Sequence, residues 1–332
     1  MSVIKRVDRS TKLFIIVFLF LLVMPTFAGF YQTEVLAKFI LFGIFAMSLD
    51  LIWGYAGIMS FGHAAFFGVG AYVCTLLLFH IPGAKGALVL LGSMAIPALL
   101  ALVLSLFLLY GKVSGVYFAI ITLVVALILE QVAVAWYSLT RGLTGFTPVP
   151  PLSLFGAPFD ANSPAALLRY YYLIAAIAGF IYLALYLLSR SRYGLLLQAV
   201  KNDPKRAQYL GYNISTVQTI AFVIAAVIAG LAGALFAPLQ DFISPQLMGL
   251  FYSTQVIIWT AVGGRNTLVG PFIGAIALSY LDLLFSGIFV EFWYLIVGAV
   301  LLAVVLFWPD GLMGYILSWQ PHRKKRADSG PR

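Results

Sequence analysis

The sequence predicts an all-α polytopic membrane protein with about ten transmembrane helices. Of its 332 residues, 63% are apolar or aromatic and 9% are charged, whereas an ordinary soluble domain carries roughly 25% charged residues. The mean hydropathy is +1.03. The apolar runs are also long enough, at about 20 residues, to cross a bilayer as helices. These observations exclude a soluble enzyme and a disordered chain.

Ten apolar segments predict the spans. We place them at 13–30, 39–59, 61–81, 87–110, 114–137, 170–188, 216–238, 247–264, 267–285 and 291–308. Gly62, Gly68 and Gly70 interrupt the third segment, so both a continuous span and a broken or re-entrant element remain open there. Two glycine-punctuated stretches, GYAGIMSFGHAAFFGVGAY (54–72) and TAVGGRNTLVGPFIGAIALSY (260–280), fall in opposite parts of the chain. They favour two structurally related halves.

The basic residues predict the orientation. They cluster before the first span, between the sixth and seventh spans, and in the tail. On this layout sixteen of the 20 Lys and Arg residues face the cytoplasm, and the four that face out are Lys38, Lys85, Arg141 and Arg169. This asymmetry follows the positive-inside rule. The net charge of +9 is therefore explained by the membrane, and we expect no nucleic-acid partner.

The orientation divides the chain into a membrane domain and its flanking segments. We predict a cytoplasmic N-terminus (1–12), a transmembrane domain (13–308) with an external loop (138–169) and a cytoplasmic loop (189–215), and a cytoplasmic basic tail (309–332). Five prolines in the external loop prevent a regular helix there. The basic, apolar N-terminal segment also fits a cleaved signal peptide, which would leave the downstream orientation unchanged.

Few residue types that support catalysis or metal binding are present. The single cysteine, Cys74, excludes a disulfide framework, and three histidines are too few to favour a zinc centre. The sequence contains no phosphate-binding loop, nucleophile elbow or HExxH motif. We therefore expect no catalytic residue, no metal site and no bound cofactor, and the chain cannot hydrolyse ATP itself.

Two acidic residues, Asp50 and Glu130, lie within apolar runs, where a charge costs roughly 2.5–3.5 kcal/mol on insertion scales. They either line a solute path or serve as structural polar contacts between helices. The candidates for such a path are Asp50, Gly54, Gly57, Ser60, His63 and Glu130. Glycine tolerates the unwound backbone that lines transporter cavities, but it also allows close helix packing. The small residues of 228–235 favour helix contact.

The loop 189–215 is basic and differs from the apolar segments around it. Leu195, Leu196, Ala199 and Val200 predict one face of an amphipathic helix, and Asp203-Pro204 predicts the start of a second helix that stops at Gly211. Such a segment either lies on anionic lipid or docks on a cytoplasmic partner. The residues alone leave both interpretations open.

An ordered series of motifs resembles the branched-chain amino acid ABC-transporter permeases of the LivM type. The motifs are GYAGIMSFGHAAFFGVGAY (54–72), SGVYFAIITL (114–123), LTRGLTGF (139–146), SRYGLLLQAVKNDPKRAQYLGYN (191–213), AFVIAAVIAGLAGALFA (221–237), AVGGRNTLVGPFIGA (261–275) and LFWPDGL (306–312). They span roughly residues 35–315. The resemblance implies a multi-pass subunit of the bacterial inner membrane with both termini in the cytoplasm.

The resemblance also implies partners and a role for the basic loop. The partners would be a LivH-type permease, two ATP-binding subunits that use ATP and Mg²⁺, and a periplasmic solute-binding protein, with membrane lipid around the pair. The residues that would couple to the ATPase are Gly194, Ala199, Lys201, Asp203, Arg206, Ala207 and Gly211. This implication favours docking on a partner over lipid binding.

The resemblance favours branched-chain amino acids as the solute. The Gly62-His63 pair and the 139–146 motif fit that branch, whereas 256–270 is closer to relatives that carry urea or short amides. Urea, short amides or small carboxylates are therefore the alternative solutes. An ion-coupled secondary carrier, or a channel or structural subunit, is the alternative of another class.

Overall fold

The computed structural model describes residues 2–285 except 82, 84, 155–156 and 160–162, together with 298–299, 311 and 313–314. Twelve α-helices and one two-stranded hairpin lie in this part of the chain. The predicted all-α membrane fold is therefore confirmed. The predicted span 291–308 and the tail 309–332 lie almost entirely outside the described residues.

Nine of the helices match predicted spans in order, and three short ones lie between them. The helices are α1 (Ser2–Val23), α2 (Phe30–Asp50), α3 (Ala64–His80), α4 (Gly86–Leu108), α5 (Val116–Ala135), α6 (Tyr137–Thr140), α7 (Pro164–Arg190), α8 (Arg192–Asn202), α9 (Pro204–Tyr209), α10 (Ile214–Gln240), α11 (Leu250–Gly263) and α12 (Val269–Phe285). A π-helical turn, Leu51–Tyr55, continues α2. In the described residues, five helices are long and apolar enough to cross a membrane, namely α2 with its π turn, α4, α5, α7 and α10.

Three long helices begin well before their predicted spans, and α1 shows the largest shift, because it begins at Ser2 rather than at residue 13. Helix α2 begins at Phe30 rather than at residue 39, because Glu34 and Lys38 lie one turn apart and pair at 2.7 Å. Helix α7 begins at Pro164 rather than at residue 170, since proline is well suited to the first helical position. The external loop is correspondingly shorter, and it contains a small hairpin, β1 (Leu152–Leu154) with β2 (Ala157–Phe159).

The irregular third segment is a crossing with a non-helical start. The ammonium of Lys201 on α8 donates to the carbonyl of Gly54, so the π turn lies at the same end of the bundle as α8. Residues 57–60 are non-helical, and α3 then runs to the opposite end, where Phe79 lies against Phe146 of the external loop. The segment is therefore broken, and it still crosses. We call the two ends of the bundle the basic end and the loop end.

A similar broken crossing follows α10 in the opposite direction. Asp241, after the end of α10, accepts a hydrogen bond at 2.8 Å from the amide of Val149 in the external loop. The chain then passes through an isolated bridge between Phe146 and Ile243. Helix α11, of 14 residues, is too short to span about 30 Å of hydrocarbon alone. Residues 241–249, which include a 3₁₀ turn at Pro245–Met248, supply the rest of this crossing. The sequence had predicted it as one span (247–264).

Small residues bring α3, α4 and α10 together at the centre of the bundle. A Cβ atom on Gly70 of α3 would overlap the backbone of Gly230 on α10, and one on Gly230 would also meet Pro97 of α4 at 2.6 Å. Gly233 lies against the backbone of Phe67 in the same way. The predicted role of 228–235 in helix contact is confirmed. In lipid, this close backbone approach supplies van der Waals packing where hydrophobic burial contributes little.

Candidate coupling segment and solute path

The basic segment 189–215 folds as the sequence predicts, into two short helices joined by a cap. Ser191 caps α8 by accepting the amide of Gly194 at 3.3 Å, and Asp203 caps α9 by accepting the amide of Arg206 at 3.0 Å. Gly211 has a φ of +88°, a conformation that favours glycine. These signals fix the bounds of both helices.

The buried face of α8 differs from the predicted face. Gly194, Leu197 and Val200 are buried, whereas Leu195 is 63% exposed. Tyr193 anchors the same helix, because its hydroxyl donates to the carbonyl of Val217 at 2.7 Å. Burial raises the pKa of the Tyr193 phenol, which keeps this donor protonated. The prediction of which residues pack inward was wrong by part of a turn, since leucines occupy both faces.

The seven predicted coupling residues divide into an inner and an outer set. Gly194 and Ala207 are buried against the bundle, and a Cβ atom on Gly194 would meet the carbonyls of Leu188 and Ser189. Lys201 reaches inward through its ammonium to Gly54. The outward residues are Ala199, Asp203, Arg206 and Gly211. These four residues and the exposed part of Lys201 are available to a partner.

Sequence reasoning missed an apolar surface on this basic segment. Tyr209 is 88% exposed and Leu210 is 73% exposed, next to Tyr212. The signal was the sequence Tyr209-Leu210-Gly211-Tyr212 after a capped helix. Exposed aromatic and aliphatic side chains in one short segment mark an interaction surface. Arg206 and Asp203 form a salt bridge at 3.5 Å, and both charged groups lie at the edge of this apolar surface.

The six predicted path residues do not form one cluster. Asp50, Gly54 and Gly57 lie together at the π turn, beside α8. Asp50 is completely buried, and its two oxygens accept the amides of Asn266 and Leu268 at 2.7 and 3.0 Å. These bonds make Asp50 a polar contact between the end of α2 and the turn before α12. The backbone amides of the turn between α11 and α12 are partners that the sequence did not reveal.

His63 and Ser60 are buried deeper in the bundle. Ser48 and His63 lie 2.8 Å apart, from Oγ to Nε2, and the His63 ring stacks on Phe45 at 5.5 Å. Nδ1 of His63 and the hydroxyl of Ser60 have no hydrogen-bond partner within the described part of the chain. Both residues are completely buried. Their positions are therefore consistent with helix packing, and neither faces an open surface.

Glu130 is the path candidate with a partly exposed side chain in the bilayer region. Its carboxylate lies against Gly249, where the broken crossing joins α11. Neither the Lys38–Glu34 pair nor the Arg206–Asp203 pair involves Glu130, and no basic side chain pairs with it in the described part of the chain. The neighbouring Gln131 is exposed in a shallow groove along α5, lined by Val124, Leu127, Ile128, Gln131, Val132 and Ala135.

No group of three or more His, Cys, Asp or Glu side chains is placed to hold a metal ion in the described ranges. Cys74 is a free, buried thiol.

Comparison with known proteins identifies the class of membrane protein. Residues 31–305 match the family described as the branched-chain amino acid transport system permease component. The permease protein LivM of Escherichia coli K12, from a high-affinity branched-chain amino acid transport system, is 26% identical over 94% of this chain and 77% of the relative. No solved structure matches.

Two further relatives show how wide this similarity is. The LivH permease of the corresponding system in Salmonella typhimurium LT2 is 25% identical over 82% of this chain and 91% of its own length. LsrC of Escherichia coli O157:H7, an autoinducer 2 import permease, is 28% identical over 43% of each chain. The family match covers most of the sequence and includes the basic segment and both broken crossings. This multi-pass membrane protein belongs to the family of branched-chain amino acid transport system permease components.

Proposed function

We propose that this chain is one of two membrane subunits of an ABC importer for branched-chain amino acids. The observation that carries the proposal is the apolar surface of Tyr209, Leu210 and Tyr212, which emerges from a basic segment at one end of a membrane bundle. A membrane interface accepts basic residues beside exposed apolar side chains as readily as a protein surface does. The choice of a protein partner therefore rests on the family. The family and the LivM relative support an ATP-binding subunit as that partner.

The remaining partners and the orientation follow from this docking. In this proposal the docked ATPase requires 189–215 to be cytoplasmic, and the ten crossings predicted from the sequence would then leave both termini on that side of a bacterial inner membrane. A LivH-type permease completes the membrane pair, two ATPase subunits supply ATP and Mg²⁺ chemistry, and a periplasmic binding protein delivers the solute at the loop end. This chain binds no cofactor in that scheme.

The solute path runs along the α5 face in this proposal. Glu130 is partly exposed and Gln131 is exposed among apolar residues, and lipid contact would cost roughly 2.5–3.5 kcal/mol for the charge. A second permease against this face would shield both groups from lipid and leave a polar path between the subunits. Glu130 then lies near the loop end of that path, where it is able to attract the ammonium of an amino acid.

Deletion of the gene tests the proposal. In a strain with no redundant system, ATP-dependent uptake of labelled leucine should fall to background and return when the wild-type chain is supplied. Unchanged uptake refutes the proposed solute. Uptake driven by the purified chain alone, down an imposed ion gradient, would instead show a secondary carrier.

A single cysteine on the α5 face tests the path. In a Cys74→Ala background, a thiol reagent on Gln131→Cys should block leucine uptake, and leucine should slow the labelling. Phe180→Cys is the matched control, because Phe180 is 71% exposed on α7 and its labelling should leave uptake unchanged. Equal inhibition at both positions, or none at either, argues against the path.

A second candidate is import of another small polar solute. The observation that favours it is the similarity to LsrC, which is named as an autoinducer 2 import permease. Competition decides between the solutes: unlabelled isoleucine and valine should displace leucine, whereas urea, short amides and small carboxylates should not.

A further inference from the structure

The π turn Leu51–Tyr55 lies between the basic segment and the turn that joins α11 to α12. On its outer side, Lys201 of α8 donates to the carbonyl of Gly54, and the side-chain amide of Gln218 lies 3.5 Å from the carbonyl of Ala56. Carbonyls in the last turn of a helix have no partner within the helix. Lys201 therefore replaces a missing backbone donor, and α8 is attached to the end of α2.

On its inner side, the same stretch holds the turn 264–268, which we call the hairpin turn. Asp50 accepts the amides of Asn266 and Leu268, and the guanidinium of Arg265 lies 4.8 Å from the ring centroid of Trp53. Asn266 and Leu268 have φ angles of +63° and +60°. This conformation is unfavourable for leucine, so the bonds to Asp50 keep the turn in place.

Gly54 touches both attachments. Its carbonyl accepts Lys201, and a Cβ atom on it would overlap the carboxylate of Asp50 and the amide of Asn266. Gly57, with a φ of +76°, lies so close to the Lys201 side chain that a Cβ atom would come within 2.9 Å of it. The two attachments are therefore separated by the backbone of one residue.

Helices α11 and α12 are themselves locked into one unit beyond the turn. A Cβ atom on Gly263 would overlap the backbone of Gly270, and one on Gly274 would meet Gly263 at 2.7 Å. Packed backbones of this kind shift as a body rather than deform. A displacement of the hairpin turn would therefore carry the whole α11–α12 hairpin.

We infer that Asp50, Gly54 and Lys201 form a mechanical link that transmits displacement of α8 to the α11–α12 hairpin. Asp50 is a positioning residue in this link and does not contact the solute. The inference rests on the proposed function, since it takes α8 as part of the surface that a nucleotide-driven partner moves.

Spin-label distances in the complete reconstituted transporter test the link. In a Cys74→Ala background, one label pair reports α9 (Gln208→Cys with Phe107→Cys), and a second pair reports the hairpin (Tyr280→Cys with Phe107→Cys). Both distances should change when ATP and vanadate are added to the wild-type link. In Asp50→Asn and in Lys201→Met, the α9 distance should still change, whereas the change at the hairpin should fall at least about threefold.

Uptake and ATP hydrolysis give the functional readout in the same samples. Leucine transported per ATP should fall about tenfold in Lys201→Met, and the double variant should be no worse than the more severe single variant, because coupled residues are not additive. Lys112→Met is the matched control, since it removes a basic residue at the same end without touching the π turn. It should behave as wild type.

Each outcome decides one claim. The link is overturned if the hairpin distance changes equally in wild type and in both variants. It is also overturned if the hairpin distance stays constant in wild type while the α9 distance changes. An α9 distance that ignores nucleotide refutes the proposed coupling role instead. If Asp50→Asn fails to assemble with its partners, Lys201→Met decides alone, because it leaves the Asp50 bonds in place.

Discussion

Asp50→Asn should loosen the hairpin turn by an amount that follows from its two hydrogen bonds. The carboxylate accepts one amide at each oxygen, from Asn266 and Leu268, and it is completely buried. Asparagine keeps one acceptor and turns an amino group towards the other amide. A bond to a charged group contributes about 1.5–3 kcal/mol, and a buried unsatisfied donor costs about 1–3 kcal/mol. Allowing for relaxation of the turn, we expect a loss of about 2–4 kcal/mol in the free energy of local opening.

Hydrogen exchange of the purified protein measures this loss. Since about 1.4 kcal/mol corresponds to a factor of ten, peptides covering 264–270 should exchange roughly 30- to 700-fold faster in Asp50→Asn. Asp241→Asn is the matched control, because Asp241 holds the amide of Val149 at the other end of the bundle. It should accelerate exchange around Val149 and leave 264–270 unchanged. Exchange in 264–270 that rises less than about threefold in Asp50→Asn would refute the role assigned to Asp50.

Three further changes test other parts of the account. Gly211→Val should lower the stability of this segment by about 1–2 kcal/mol, because φ at Gly211 is +88°. It should reduce leucine uptake per ATP while the partners still copurify. Wild-type coupling in both this variant and Asp203→Lys would contradict the docking role. Asp203→Lys removes the α9 cap, worth about 1 kcal/mol, and should likewise lower leucine uptake per ATP while the ATPase still copurifies. Gly70→Leu should prevent folding, since Gly70 lies against the backbone of Gly230, and a monodisperse chromatographic peak at normal yield would exclude this packing role.

The spans that the sequence predicted best are those in which hydrophobicity alone decides the structure. Helix α5 (Val116–Ala135) lies inside its predicted segment, 114–137, with only two residues to spare at each end. The observed start of a helix differs from the predicted one where a local interaction offsets the cost of polar residues in the helix. The Glu34–Lys38 pair in α2 is such an interaction. Pairing of this kind depends on which side chains meet, and a hydropathy pattern does not show it.

The broken crossings were only partly predictable. Glycines at 62, 68 and 70 indicated an irregular third segment, whereas 241–249 gave no comparable signal before α11. The second break depends on tertiary contacts, namely the bridge between Phe146 and Ile243 and the bond from Val149 to Asp241. Residues from distant parts of the chain make those contacts, so no local pattern reveals them.

For the candidate site, the sequence predicted the helices of the basic segment but not their attachments. Caps at Ser191 and Asp203 are local and were readable. The link from Lys201 to Gly54 joins residues 147 positions apart, and that from Asp50 to Leu268 joins residues 218 positions apart. Asp50 was identified as unusual from its cost in the membrane, and only the fold shows what offsets that cost.

Thiol labelling of Tyr209→Cys tests the central claim, that the basic segment faces the cytoplasm and docks on the ATPase. Tyr209 is 88% exposed, so a cysteine there is accessible unless something covers it. In a Cys74→Ala background, a membrane-impermeant maleimide should label the cysteine in inside-out vesicles stripped of ATPase. Rebinding the ATPase should block this labelling. In intact spheroplasts, where the reagent reaches only the external side, the cysteine should stay unlabelled. Labelling of intact spheroplasts, or labelling that the rebound ATPase leaves unchanged, would contradict the claim.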